Sequence, residues 1–199
     1  GPDTDLDGFD IARLAYRGPD ALCTIRSADI ADPPRRVRWK LAHARLSIVD
    51  LASSADQPMC SPDQRYWLVF NGEMYNHREL RKSLEGMGLQ FRTDHSDSEV
   101  LLNACIAWGT EALPRLNGMF AFVLVDNLTG RVWGARDRMG IKPFYYSKVG
   151  GTFAFASEPK AILGKRTVDR DALHQYFHFR QVEGERTFFK GINKLSYFF

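Results

Sequence analysis

No apolar run in the 199 residues is long enough to span a bilayer, and no signal peptide opens the chain. Neither a membrane nor the secretory route is therefore expected, and a cytoplasmic location is. Cysteine is scarce. Cys23, Cys60 and Cys105 are an odd number without metal-ligand spacing, which suits a reducing compartment better than a disulfide framework. An excess of one charge is missing too. The net charge is +3 with both signs interspersed, too little and too scattered for nucleic acid or an anionic membrane as partner. His43, His77, His95, His174 and His178 have no companions that suggest a triad or a metal site, so solvated or core-edge positions are expected. Asp3-x-Asp5-x-Asp7-Gly8 resembles the first half of a calcium loop, but its twelfth position is Leu14 and not the bidentate Glu. A solvated turn is the reading there. No repeat or linker divides the chain, and one domain over residues 1–199 is expected. Gly1-Pro2 reads as the scar of a cleaved tag.

What is present is a set of short strands, hairpin turns and a few helices. Ile11, Leu14 and Ala15 space as one face of a short helix that Arg17-Gly18-Pro19-Asp20 ends. Ala21 to Arg26, Val37 to Ala44 and Leu46 to Val49 read as strands, and Asp50 to Pro62, which holds Cys60, as a loop. Asn76 with Glu79 and Ser96 with Glu99 are two capping boxes that should start helices. Leu80, Leu84 and Met87 form the apolar face of the first, and Val100, Leu101, Ala104, Cys105 and Trp108 that of the second. Met119 to Asp126 is apolar on both faces and turns at Asn127–Gly130 into Arg131 to Arg136. A second hairpin joins Phe144–Tyr146 to Thr152–Ala156 around Gly150-Gly151, and Asp171 to Phe179 reads as helix. A strand apolar on both faces must be covered on both sides. Two antiparallel sheets face to face between helices satisfy that requirement.

The stretch Tyr66-Trp67-Leu68-Val69-Phe70-Asn71-Gly72-Glu73 places an amide, a backbone N–H and a carboxylate at one strand end. Such groups suit a small polar ligand whose carbonyl is polarised and whose amine is held. Taken alone, Asn71-Gly72 reads as an ordinary turn dipeptide, Arg45 as a surface ion-pair partner, and Asp97 as a residue favoured by its helix dipole.

Seven segments in register lift these readings. Arg17-Gly18-Pro19-Asp20, Ala44-Arg45-Leu46-Ser47-Ile48-Val49-Asp50, Gln57-Pro58-Met59, Asn71-Gly72-Glu73-Met74-Tyr75-Asn76, Ser96-Asp97-Ser98-Glu99-Val100, Arg136-Asp137-Arg138-Met139-Gly140-Ile141-Lys142-Pro143-Phe144-Tyr145-Tyr146 and Ala156-Ser157-Glu158-Pro159-Lys160-Ala161 occur in that order. Together, from about Arg17 to about Leu195, the chain resembles the class II glutamine amidotransferase domain of asparagine synthetase-like enzymes. The resemblance implies an α/β (α+β) fold, the four-layer αββα sandwich of the N-terminal-nucleophile hydrolases. It implies hydrolysis of glutamine to glutamate and ammonia by an N-terminal Cys that uses its own α-amino group as base. It further implies that Asn71 and the Gly72 N–H form the oxyanion hole, Arg45 grips the glutamine α-carboxylate, and Glu73 and Asp97 hold the α-ammonium. Asp137, Arg138 and Lys142 are expected to be structural or interface residues.

The resemblance also has gaps. The family's opening Met-Cys-Gly-Ile is missing, and none of the three cysteines can replace it: Cys23 falls in a strand, Cys60 in a loop and Cys105 on an apolar helix face. An internal Cys has no free α-amino group. The missing first strand should leave an unpaired edge, which a second copy of the chain or the tail Tyr197-Phe198-Phe199 is expected to fill. No Ser-Gly-Gly-x-Asp-Ser loop for ATP is present. No cofactor is expected in this domain, ATP and magnesium belonging to a synthetase domain or partner chain. The alternative is a catalytically inactive glutaminase-like domain kept for binding or scaffolding, as the resemblance to β-lactam synthetases allows.

Overall fold

The computed structural model describes residues 10–18, 21–30, 37–45, 57–149, 151–162 and 167–196, without the side chains of Ala21, Arg45 and Val149. The Asp3–Gly8 loop, the Leu46–Val49 strand and the Tyr197-Phe198-Phe199 tail of the preceding section lie outside these residues. Among the described residues, no helix is long and apolar enough to cross a membrane.

The central layer is a four-stranded antiparallel sheet in the order β3-β4-β5-β6. Its strands are β3 (Met59–Cys60), β4 (Tyr66–Met74), β5 (Gly118–Asp126) and β6 (Arg131–Arg136). The period of two along β4 and β5 sorts their side chains. Leu68, Phe70 and Met74 of β4 join Phe120, Phe122 and Leu124 of β5 on one face. Trp67, Val69, Ala121, Val123 and Val125 occupy the other. Both faces are covered, as a strand with no polar face requires. The first face packs on α1 (His77–Gly86) and α2 (Asp97–Trp108), which supply Leu80, Leu84, Val100, Leu101 and Ala104.

The second face meets two smaller antiparallel sheets. One pairs β1 (Ala21–Arg26) with β2 (Lys40–Arg45). The other has the order β8-β7-β9, formed by β7 (Tyr145–Val149), β8 (Thr152–Ala156) and β9 (Asn193–Lys194). Leu41, Phe144, Tyr146, Phe155 and Leu195 pack from this layer onto the central sheet. Ala154, Ile162 and Ile192 form a third cluster with Tyr145, Ala156 and Phe189. A 3-10 helix, Ile11–Arg17, reaches across to Pro159–Ala161, where Asp10 N donates to Ala161 O at 2.8 Å. α3 (Arg170–Phe179) follows, capped by the Asp169 carboxylate. Among the described residues, β2 is paired only with β1 and β8 only with β7.

Several local expectations are corrected. Cys60 is in β3 and not in a loop, because Met59 and Cys60 pair with Leu68 and Trp67. Asn76 sits at the α1 N-cap but makes no cap. Its amide instead accepts from Asn117 N at 3.0 Å and donates to Arg115 O at 2.9 Å, tying α1 to the approach of β5. The second box is half formed. Ser96 Oγ accepts from Glu99 N at 3.2 Å, but the Glu99 carboxylate turns to Arg92 N and Thr93 N, at 2.7 and 2.9 Å, and to the Thr93 hydroxyl, at 2.6 Å. α2 is buried well beyond one face, since Leu102 is also buried, whereas Met87 past the end of α1 is exposed.

Candidate functional site

A cavity of about 720 Å³ lies between the central sheet and the second layer. That is within the roughly 300–1,000 Å³ of small-molecule sites. Asn71, Gly72 and Glu73 line it from β4, and Ser96, Asp97 and Ser98 from the start of α2. The two sequence-distant groups proposed for one site are therefore brought together. Arg45 ends β2, opposite Ala21, and its neighbours His43 and Ala44 line the same cavity. The Arg45 side chain itself is outside the described residues.

The backbone of β4 explains how the corner works. Phe70 N donates to Gln57 Oε1 at 2.5 Å, and Met74 N donates to Asp97 Oδ2 at 3.0 Å. Both face the strand edge away from β5. Gly72 N, midway between them, points to that same edge by the strand's period of two. Its cross-strand partner Phe120 is engaged elsewhere. Phe120 O accepts from Asp137 N at 2.8 Å, and Phe120 N donates to Asp137 Oδ2 at 3.3 Å. Gly72–Phe120 is thus a non-hydrogen-bonded pair, the closer of the two antiparallel spacings. A Cβ on residue 72 would fall 2.2 Å from Met119 O and 2.7 Å from Phe120 Cα. Glycine is required there by close approach of the strands, and the same approach leaves its N–H aimed at the cavity side.

Asn71 and Glu73 flank Gly72 on the face that looks to the second layer. Asn71 Nδ2 donates to Ser157 Oγ at 3.4 Å, a long bond that a ligand oxygen can compete for. Glu73 is exposed, and its carboxylate is open to a cation. Asp97 does two things at once: it is the first residue of α2, where the helix dipole favours an anion, and it clamps the edge of β4. The buried Glu99, two residues on, fixes the preceding loop through Arg92 N and Thr93 N and so holds the start of α2 that carries Asp97.

Sequence reasoning missed several wall residues. His43, His77 and His95 line the cavity, where solvated or core-edge positions were expected. The His77 ring lies 2.8 Å from Met74 O, so Nδ1 carries the proton in that bond. Arg17 lines the cavity too and is held by Glu158 at 2.8 Å, with Lys160 at 3.3 Å on the same carboxylate and the Tyr16 hydroxyl also donating to it. The hydrogen bond to Glu158 raises Arg17 above its ordinary value. Burial pushes Glu158 up, but Tyr16, Arg17 and Lys160 outweigh it and hold the carboxyl low. Both residues stand in quoted motifs, yet only the fold shows that they meet.

None of the three cysteines lines the cavity. Cys105 is buried against α1 and the central sheet, and burial raises its thiol far above the ordinary value. Burial also raises Cys60, against the lowering effect of Arg92. Thiols so placed are poor nucleophiles. Among the described residues, no group of three or more His, Cys, Asp or Glu could hold a metal ion.

A four-stranded antiparallel sheet with α1 and α2 on one side, a second layer of two smaller antiparallel sheets in place of the one expected on the other, and a polar corner at a strand end between the layers match the N-terminal-nucleophile amidotransferase sandwich. The glutamine amidotransferase domain family matches residues 9–197, and the chain belongs to it. It is similar to asparagine synthetase (glutamine-hydrolysing) 1 of Bacillus subtilis strain 168, 41% identical over 186 residues, covering 92% of this chain and 28% of that protein. It is 45% identical over 151 residues to asparagine synthetase (glutamine-hydrolysing) 3 of Arabidopsis thaliana, covering 75% of this chain and 24% of that one. Among solved structures, the glutamine phosphoribosylpyrophosphate amidotransferase of B. subtilis, complexed with ADP and GMP, aligns with a TM-score of 0.52 at 26% identity. That alignment covers 61% of this chain and 28% of the other. The chain spans about a quarter of the length of these relatives.

Proposed function

We propose that the cavity binds glutamine and that the domain releases glutamate and ammonia from it, for use by an ATP-dependent synthetase domain or partner chain. The observation that carries this reading is the Gly72 N–H on the open edge of β4, with the Asn71 amide beside it and the carboxylates of Glu73 and Asp97 around it. A glutamine side-chain carbonyl placed against Asn71 Nδ2 and Gly72 N would be polarised. The negative charge that develops when a nucleophile adds to it would meet two donors already in place. The substrate's α-ammonium would lie by Glu73 and Asp97, and its α-carboxylate would be left for Arg45. Addition of a thiolate to the amide carbon, expulsion of ammonia, and hydrolysis of the thioester by water together yield glutamate and ammonia. The attacking thiol is the N-terminal Cys implied by the family resemblance and is not one of Cys23, Cys60 or Cys105. The free thiols of this chain fit a reducing, cytoplasmic setting.

Binding tests this without turnover. Calorimetry with L-glutamine should give saturable binding. Glu73→Gln should weaken it at least tenfold, since a hydrogen bond to a charged group contributes about 1.5–3 kcal/mol and 1.4 kcal/mol is a factor of ten. No heat with glutamine, or full affinity in Glu73→Gln, would overturn the assignment.

A further inference from the structure

Gln57, from the segment Gln57-Pro58-Met59, lines the cavity and is only 8% exposed. Its place follows from the register of β3. Met59 stands opposite Leu68 and Cys60 opposite Trp67, so the same register carried back sets Gln57 opposite Phe70. In a ladder that went on by backbone, Gln57 O would accept from Phe70 N. The side chain does so instead, with Phe70 N donating to Oε1 at 2.5 Å. Among the described residues no backbone hydrogen bond joins Gln57 to Phe70. A side chain thus takes the last rung of the β3 ladder.

Leu68, Phe70, Gly72 and Met74 turn their N–H groups to the same edge of β4 by the strand's period of two. Leu68 stands opposite Met59, Phe70 N is held by Gln57, and Met74 N is held by Asp97 at 3.0 Å. Gly72 N has no partner among the described residues. A backbone ladder carried two residues further would set a carbonyl against Gly72 N and consume that donor. A side-chain amide cannot propagate a ladder, because its carbonyl satisfies one N–H and no further peptide group follows it. Without that carbonyl, Phe70 N would be a buried donor left unpaired, and the strand edge would shift or pair again to relieve it. We infer that Gln57 is a positioning residue of the glutamine site: it ends the β3 ladder with its side chain and so keeps the Gly72 N–H unpaired for the ligand carbonyl. This rests on the function proposed above, in which Gly72 N is a donor to the ligand.

The test follows backbone amides by NMR in isotope-labelled protein, with L-glutamine calorimetry on the same preparations. In the free wild type, Phe70 and Met74 N–H should exchange slowly with solvent, and Gly72 N–H about tenfold faster or more. Equal protection at Gly72 and Phe70 would show that the edge is not open there and overturns the inference, whether or not glutamine binds. Saturating glutamine should slow exchange at Gly72 and move its proton resonance downfield. Gln57→Leu removes the acceptor, so glutamine affinity should fall about tenfold and the Gly72 response should be lost. Gln57→Glu keeps an oxygen for Phe70 N and should restore the Gly72 response, whatever its charge does to affinity. Leu68→Ala, destabilised on the helical face of β4, should keep both affinity and response, which separates positioning from stability alone. Full affinity with a full Gly72 response in Gln57→Leu, or no response in Gln57→Glu, overturns the inference. No glutamine binding by the wild type overturns the proposed function instead, and a retained exchange pattern would then make Gln57 the end of a ladder and no part of a glutamine site.

Discussion

The two faces of β4 are built from alternate residues of one strand and do opposite work. Leu68, Phe70 and Met74 look to α1 and α2 and are closed in on every side. Trp67 and Val69 look to the second layer, and along that same face the strand goes from apolar to Asn71 and Glu73 at the cavity. The helical face is continuous core. The other begins as core and opens into the cavity at Asn71 and Glu73. Core packing and the proposed recognition are thus separated by a period of two, and Gly72 belongs to both. Its missing side chain lets β5 close up, and its N–H faces the strand edge at the cavity.

The largest expected effect tests the helical face. Leu68 is fully buried, so Leu68→Ala should cost about 2–5 kcal/mol through lost burial and the cavity left behind. A denaturant midpoint measures the loss. Glutamine affinity of the folded protein should be unchanged, and a fall in affinity comparable to the loss in stability would break the comparison. Next in size is Glu99→Gln. It replaces an acceptor of three hydrogen bonds with a group that presents donors to donors, at a cost of about 1–3 kcal/mol. Because Glu99 fixes the loop before Asp97, this variant should lose glutamine affinity as well as stability. A loss of stability alone would show that Asp97 is placed by Met74 N without help.

The difference between the faces also explains what could be read from sequence. β5 declared itself by being apolar throughout, and the two hairpins by their turns. Asn71, Gly72 and Glu73 are contiguous, so their grouping needed no tertiary information, and the start of α2 was marked by Ser96. What joins them was not legible. The bond from Met74 N to Asp97 spans 23 residues, that from Asn71 to Ser157 spans 86, and the Arg17–Glu158 pair spans 141. The capping boxes misled for the same reason. Asn76 and Glu99 had local partners by spacing, but distant backbone groups, at Asn117 and Arg115 for one and at Arg92 and Thr93 for the other, made the better offer. Met59–Cys60 looked like loop because two residues carry no period, and became a strand only because β4 was there to pair with.

The smallest effect belongs to the end of β4 and β5 farthest from the cavity, where Tyr66 pairs with Asp126. Arg65 donates to both Asp126 oxygens, from Nε at 3.1 Å and Nη2 at 2.9 Å, and these bonds, helped by Leu128 N and Thr129 N, lower the carboxyl from 3.8 to about 2. A carboxyl depressed in the folded state stabilises above its unfolded value, and that contribution is lost as pH falls through the folded one. The window is therefore from about pH 4 down to about pH 2. Arg65 is more than a third exposed, so water and salt screen the pair, and Asp126→Asn should cost only about 1 kcal/mol at neutral pH. The melting temperatures of wild type and Asp126→Asn should differ at pH 7 and converge toward pH 2, with glutamine affinity at pH 7 the same in both. A difference that persists at pH 2 would mean that the side chain stabilises the sheet end by shape and not by charge. A change in affinity would mean that the two ends of β4 are coupled, and the separation of its faces would then be incomplete along the strand.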